Sequence, residues 1–332
     1  MCVRITRMDN VDVGLFDRDW NNTIYFFILN ADEQIYLRYG GRDSTSPDSY
    51  LHLTSLELAL NQGLELHRRY QRGELKTTDR PKPLFPREIP LLVERTFSRH
   101  ACVECHLIGD FQNLEREQAG SLDKVKHLYR SPDIKSLGIY LDVPKGLVVK
   151  ESRGSAAACG IKTGDRIRSL NGTEVWTYAD FQYRYDQVER RAERIALAVE
   201  REGATVELAI ELPRLWWWTD LTFRQSSVEP RTYFSSRPLT EEEKVRHGLP
   251  SRGFASEVTR VDDFAKAMKT HELAVGDIVF GVDGVERDEF ANTAEFYIKL
   301  RKKAGDSVML DVLRDGRRSR MPLKTFRLGF RK

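Results

Sequence analysis

The sequence predicts an α+β chain of several domains, and three observations predict it. A Gly-Asp-x-(Ile/Val) run ending in a glycine occurs twice, at residues 164–172 and 276–284. The chain opens with two β-rich runs followed by a helical apolar stripe, and a helical segment with two closely spaced cysteines follows. The 332 residues are enough for two or three compact domains. A hydrophobic fraction of 40% and a charged fraction of 31% are ordinary for soluble globular material. The 53 basic against 50 acidic residues leave a net charge of +3, too small for a field that draws nucleic acid. No window approaches the eighteen or so uninterrupted apolar residues of a membrane span, so neither a nucleic-acid partner nor a transmembrane segment is expected.

The first segment, residues 1–76, reads as strand, strand, strand, helix. Residues 2–5 alternate, residues 23–29 form a buried-strand pattern, and residues 34–39 form a second β-rich run closed by Gly40-Gly41. Residues 50–70 carry Leu51, Leu56, Leu58, Leu60, Leu64 and Leu66 at helical spacing. A proline-rich linker is expected at 77–90. Residues 91–130 read as mostly helical. The strands of a small β domain are expected over 131–213, a tryptophan-rich connector over 214–251, and a degenerate second copy over 252–332. Three consecutive tryptophans, Trp216, Trp217 and Trp218, cannot all face one core, so packing between domains is expected of them.

Cys102-Val103-Glu104-Cys105-His106 is C-x-x-C-H, the attachment pattern of c-type haem. Two thiols three residues apart on one helical turn can each add to a porphyrin vinyl group, and the adjacent histidine reaches the iron as an axial ligand. Cys102, Cys105 and His106 are therefore candidate haem-binding residues. His127 is the candidate sixth ligand, with His100, Met268 and Met309 eligible by residue type. Three alternatives stand beside haem: a zinc site completed by a fourth donor, a redox dithiol, and a pair of inert buried thiols. Haem attachment is an extracytoplasmic process. The start of the sequence has no signal-peptide pattern, so the haem reading expects an export signal upstream of Met1, whereas a true start at Met1 predicts a cytoplasmic protein.

Ser136-Leu137-Gly138-Ile139-Tyr140, the strand at 146–150, the small-residue run from Gly154 to Gly160, Gly164-Asp165-Arg166-Ile167 and Leu170-Asn171-Gly172 resemble, in that order, the PDZ domains of HtrA-type proteins. The resemblance implies partly open β-barrels that bind a polypeptide C-terminus. Such a domain captures an extended peptide by β-augmentation, and its loop N–H groups hold the carboxylate. Leu137, Gly138, Ile139 and Tyr140 on the strand side, with Phe181 and Tyr185 on the helix side, are the candidate peptide-binding residues. Gly276-Asp277-Ile278 and Asp283-Gly284 repeat the pattern with no clear Leu-Gly loop before them. Phe26 to Asp32 with Arg38-Tyr39-Gly40 resembles the second half of a thioredoxin-like domain. The redox cysteines of that family lie in its first half, so no dithiol activity is implied. The whole arrangement is similar to planctomycete-type multidomain proteins.

The function expected is an extracytoplasmic adaptor that binds polypeptides and carries a covalent haem for electron transfer or redox sensing with a redox partner. The alternatives are a non-redox scaffold with zinc or a structural role at C-x-x-C-H, and a haem peroxidase-like enzyme if the distal position is open. No Ser-His-Asp set or G-x-S-x-G context supports a protease.

Overall fold

The computed structural model describes residues 1–75, 80–99, 103–219, 221, 224 and 226–329. Regular structure begins late. Residues 2–5 form no strand and are exposed, because four residues without a partner strand leave their backbone groups to water. The first elements are the antiparallel hairpin of β1 (Phe26–Leu29) and β2 (Ile35–Tyr39). Asn30 closes its turn by accepting from the Asp32 and Gln34 N–H groups, the usual service of an Asx side chain. The helix α1 (Leu53–Gln71) starts where His52 Nδ1 accepts from the Thr54 N–H, and its Ala59 and Leu66 bury against Leu37 and Tyr39.

Then come α2 (Pro90–Arg95), with proline at its first position where the missing N–H costs nothing, and α3 (Cys105–Gln118). The short α4 (Lys124–His127) is capped by Asp123, which accepts from Val125 and Lys126. The chain forms two compact units. One comprises Met1–Glu115 and Tyr129–Arg224, the other Arg116–Leu128 and Gln225–Lys332.

In the first unit the hairpin and α1 share a body with a β domain, repeat 1. Its elements are β3 (Ile139–Leu141), β4 (Val149–Ser152), α5 (Gly154–Ala158), β5 (Arg166–Leu170), β6 (Thr173–Glu174), α6 (Tyr178–Asp186), β7 (Arg194–Arg201) and β8 (Ala204–Glu211). β3 pairs only with β4, and the other strands form an antiparallel sheet in the order β6-β5-β7-β8. The core is built from the inward alternation of these strands, Ile139, Val149, Ile167, Leu197 and Val199, with Phe181 and Tyr185 from α6.

The second unit holds repeat 2: β9 (Phe234–Pro238), α7 (Glu241–Arg246), β10 (Ser256–Val261), α8 (Asp263–Met268), β11 (Ile278–Val282), α9 (Ala294–Arg301), β12 (Ser307–Arg314) and β13 (Arg317–Lys324). Its five strands run in the order β13-β12-β11-β10-β9. The first strand, β9, lies ahead of residue 252, where the sequence pattern first becomes readable, and α7 is inserted behind it. Lys124 donates to the carbonyls of Lys299 and Lys302 at the end of α9. Burial brings its ammonium down to about 8, and it neutralises the negative end of the helix.

The repeats correspond bond for bond. Asp165 accepts from Arg201 and from the Lys162 N–H, and Asp277 accepts from Arg314 and from the Ala274 N–H. Val149 N–H donates to the Asp165 carbonyl, as Val258 N–H does to Asp277. Asn171 accepts from Ala196 N–H, and Asp283 from Met309 N–H. Thr177 and Thr293 cap α6 and α9 in the same way. The expected barrels are not closed. Both repeats are open antiparallel sheets, and in repeat 1 the β3–β4 pair meets the larger sheet through the Val148–Arg166 bridge and the backbone bonds Val149 N–H to the Asp165 carbonyl, Gly164 N–H to the Val149 carbonyl and Ile167 N–H to the Leu147 carbonyl.

Candidate functional site

Gly138 is where β3 begins, and its conformation explains the residue. It caps a 3-10 turn (Ile134–Leu137) at φ +83°, and a Cβ there would stand 2.1 Å from the Arg153 carbonyl oxygen. Arg153 N–H in turn donates to the Gly138 carbonyl at 2.8 Å. The glycine is thus required by the closure of β3 on β4 within the chain. In repeat 2 the equivalent residue is Tyr233, at φ 58°, with the Asp262 N–H on its carbonyl at 2.9 Å.

The six candidate peptide-binding residues are brought together, but most are core. Phe181 and Tyr185 are 0% exposed, with their ring centroids 5.6 Å apart. Leu137 and Ile139 are equally buried. Tyr185 faces Ser136 Oγ at 3.3 Å and packs on Trp216 at 4.7 Å. Trp217 packs on Tyr129, and Trp218 stays 39% exposed. Two of the three tryptophans are therefore committed inside the first unit. Tyr140 remains half-exposed beneath the Arg153 guanidinium, on a strand whose outer edge pairs with no other strand among the described residues.

The helix side of this groove is occupied by the chain itself. Residues 38–50 lie along α6 and the turn that leads into β3. Arg38 N–H donates to Asp180 Oδ1 at 2.9 Å, and Thr177 Oγ1 donates to the Arg38 carbonyl. Gly41, at φ +118°, passes so close to Tyr178 that a Cβ would stand 2.4 Å from the ring. Gln182 Nε2 donates to the carbonyls of Arg42 and Ser131, both at 3.0 Å. Tyr50 stacks on Tyr178 at 3.4 Å, and its hydroxyl donates to Asp133 at 3.1 Å. Lys135, on the turn before β3, pairs with Asp43 at 2.6 Å. The plug is fastened by Arg42, 1% exposed, which donates to Asp19 and to the Arg130 carbonyl.

Electrostatics follow this burial. At Asp43, burial opposes ionisation, but hydrogen bonds from Lys135, Thr45 and Ser46 outweigh it and hold the carboxyl well below the usual range. At Asp180 burial wins over the Arg38 N–H and pushes the carboxyl up to about 6. Of these plug residues the sequence named Arg38, Gly40 and Gly41, but for a strand and its end and not for contact with α6. Gly40-Gly41 was visible as a strand stop, and Gln182 as a polar residue in a helix that buries most of its faces.

In repeat 2 the edge of β9 is blocked differently. The Ser236 N–H donates to Glu295 Oε2 at 3.2 Å, and Glu295 is held in turn by Lys299 at 3.1 Å. A carboxylate on the flanking helix takes the donor that an incoming strand would use.

Of the C-x-x-C-H motif, Cys102 lies outside the described residues, as does His100. Cys105 and His106 sit on the first turn of α3. The Cys105 thiol is partly exposed and accepts from Arg18 Nη2 at 2.9 Å. His106 Nε2 lies 3.3 Å from Glu104. Burial, helped by the charge of Arg224, lowers the His106 pKa against the pull of Glu104, which favours the neutral imidazole that a metal needs. His127 belongs to the other unit, and its Nδ1 accepts from the Asp123 N–H at 3.1 Å. Met268 is on the exposed side of α8, and Met309 is on β12. Among the described residues no three His, Cys, Asp or Glu side chains are grouped to hold a metal ion.

No family model matches the chain. Solved structures similar to parts of it are the HtrA-type protease AlgW with tripeptide, at 14% identity over 56% of this chain and 60% of that one with a TM-score of 0.27. AlgW with decapeptide matches at 15% identity over 41% and 46%, with a TM-score of 0.25. The serine endoprotease from Yersinia pestis matches at 12% over 37% and 39%, with a TM-score of 0.21. The chain thus spans about half the length of the structures it matches.

Proposed function

We infer that this chain is a polypeptide-binding adaptor built on two PDZ-like repeats, with the first repeat held in a plugged state by residues 38–50. The observation that carries this reading is the pairing of an unpaired β3 edge with a helix side filled by Gly41, Arg42 and Tyr50. Strand addition at an open edge supplies main-chain hydrogen bonds, and a cation near the carboxylate loop favours a free C-terminus. Lys135 is that cation, and Asp43 occupies it. A polypeptide ending in a free carboxylate competes with Asp43 for Lys135 and with Tyr50 for the Tyr178 ring.

The test is fluorescence anisotropy with a library of labelled peptides, each made with a free and an amidated C-terminus. The Asp43→Asn, Tyr50→Ala double variant is expected to bind free-carboxylate peptides at least tenfold more tightly than the wild type. No binding to either protein, or equal binding of amidated peptides, overturns the reading.

A second reading, covalent haem, is favoured by Cys105 and His106 lying on one helical turn with the thiol partly exposed. The described donors fit: a thioether sulfur keeps a lone pair for Arg18, and the lowered His106 pKa leaves the ring nitrogen free of a proton. Cys102 and Cys105 would hold the group and His106 its iron, and the group would supply one-electron chemistry. This reading requires an extracytoplasmic protein. Full-length protein made in a haem-maturation-competent host is expected to stain for haem on a denaturing gel, and Cys105→Ala to lose normal two-thioether attachment. Unchanged staining in the variant, or none in the wild type, removes it.

A further inference from the structure

The first unit contains a second concave feature, which shares the Tyr50–Tyr178 stack with the plug and exists in the plugged state. A cavity of about 440 Å³ opens between α1, the turn at residues 143–147 and β5 of repeat 1. Small-molecule sites run from about 300 to 1,000 Å³. Water alone would need roughly fifteen molecules to fill it, at about 30 Å³ each. Its walls are mixed, polar surface being somewhat the larger share. Ala59, Leu147, Ile167, Val175 and Trp176 line it together with the stacked rings of Tyr50 and Tyr178. The tyrosine hydroxyls at its edge are already committed: Tyr39 to the His52 carbonyl at 2.7 Å, Tyr50 to Asp133, and Tyr178 to Gln182 at 3.2 Å.

Charge at the cavity is one-sided. Lys145, Arg166 and Arg168 line it, against the single carboxylate of Glu200. Arg168 takes Glu200, with its Nε at 2.8 Å, and Lys145 pairs with Asp142 at 2.8 Å. Arg166 stands opposite Glu200 in the β5–β7 pairing, where its charge also acts on that carboxylate, and its guanidinium donates to the Lys145 carbonyl at 3.4 Å. Two guanidiniums, Arg166 and Arg168, therefore share the one carboxylate of Glu200, and the surplus positive charge at the cavity is what an anion would neutralise.

We propose that this cavity binds a small amphiphilic anion: an aromatic or short acyl group seated among Ala59, Leu147, Val175 and Trp176, with one oxyanion on Arg166. The proposal does not depend on peptide binding. Arg166 reads the charge, and the aromatic and aliphatic walls read the apolar part.

The probe is 2-naphthoate, with the neutral 2-naphthalenemethanol as its control, titrated calorimetrically into the full chain. The wild type is expected to bind 2-naphthoate at least tenfold more tightly than the alcohol. Arg166→Gln should erase that preference, and Leu58→Trp, a change at a half-exposed lining position, should weaken both ligands at least tenfold. Thermal unfolding of each variant checks that it folds. Equal affinity for the two probes, no binding of either, or affinities unchanged in Arg166→Gln and Leu58→Trp would overturn the proposal.

Discussion

The carboxyl of Asp180 is held by its neighbours and penalised by its surroundings. The Arg38 N–H and charge, Thr177 Oγ1 and the Trp176 N–H all favour its ionised form, and burial still raises its pKa to about 6 from an ordinary 3.8. A folded-state pKa above the unfolded one means that the native state holds more protons between those two values. Stability from this group is full below about pH 4, falls as pH rises to about 6, and is flat beyond. About two pKa units correspond to roughly 3 kcal/mol. Urea unfolding at pH 4.5 and 7.5 should therefore show wild type losing about 2–3 kcal/mol relative to Asp180→Asn across that interval. Asp43 has the opposite sign but contributes equally to both proteins. A difference that does not change with pH would mean that Asp180 ionises freely. Asp180 was not legible as a special residue, because the burial that raises its pKa comes from tertiary packing, including that of Arg38, 142 positions away. Gly138 was legible as a glycine that mattered, but the reason is the Arg153 carbonyl, which no local pattern announces.

Turns, caps and repeats lie at the scale where the sequence reads best. The hairpin, α1, and the Gly-Asp starts of β5 and β11 all followed from short-range chemistry, in which turn residues and alternation act within a few positions. The start of repeat 2 did not, because Tyr233 has replaced the glycine and α7 separates β9 from the readable motif. The partners of the Gly-Asp pairs were equally hidden: Arg201 and Arg314 lie 36 and 37 residues further on. Each aspartate is almost wholly buried while its arginine reaches solvent. Removing the carboxylate also strips acceptors from the Lys162 and Ala274 N–H groups. Asp277→Ala should cost the second unit about 3 kcal/mol and leave the first intact. Limited proteolysis with mass spectrometry would locate the early cuts, which should fall after Gln225 or between Arg116 and Leu128. Cuts spread over both units would show that the pair does not act locally.

At the scale of the molecule, the plug is the feature that sequence reading missed. Its contacts join residues about 140 positions apart, and hydrophobic periodicity carries no information at that range. The tryptophans illustrate the same limit: three in a row announced crowding, but not that Trp216 would meet Tyr185. Arg42 and Asp19 are both nearly unexposed, so Arg42→Met should leave a buried carboxylate without its partner, at a cost of about 3–5 kcal/mol. Chemical denaturation of the full chain measures this directly. A loss below 1 kcal/mol would mean that Asp19 finds water or another cation, and that the plug is fastened elsewhere.

The plug also has a consequence in time. Residues 38–50 leave the ribosome long before α6 exists to receive them. Until about residue 186 has emerged, Tyr50 has no Tyr178 to stack on, Arg42 has no Gln182, and the hairpin has only α1 for cover. Contacts of such long sequence separation close slowly, and nascent segments with uncovered apolar faces are those that chaperones attend and that aggregate when left alone. During synthesis α6 and the turn before β3 are therefore formed opposite a tethered segment that has been waiting for them, and that segment has a head start over anything that reaches them from solution.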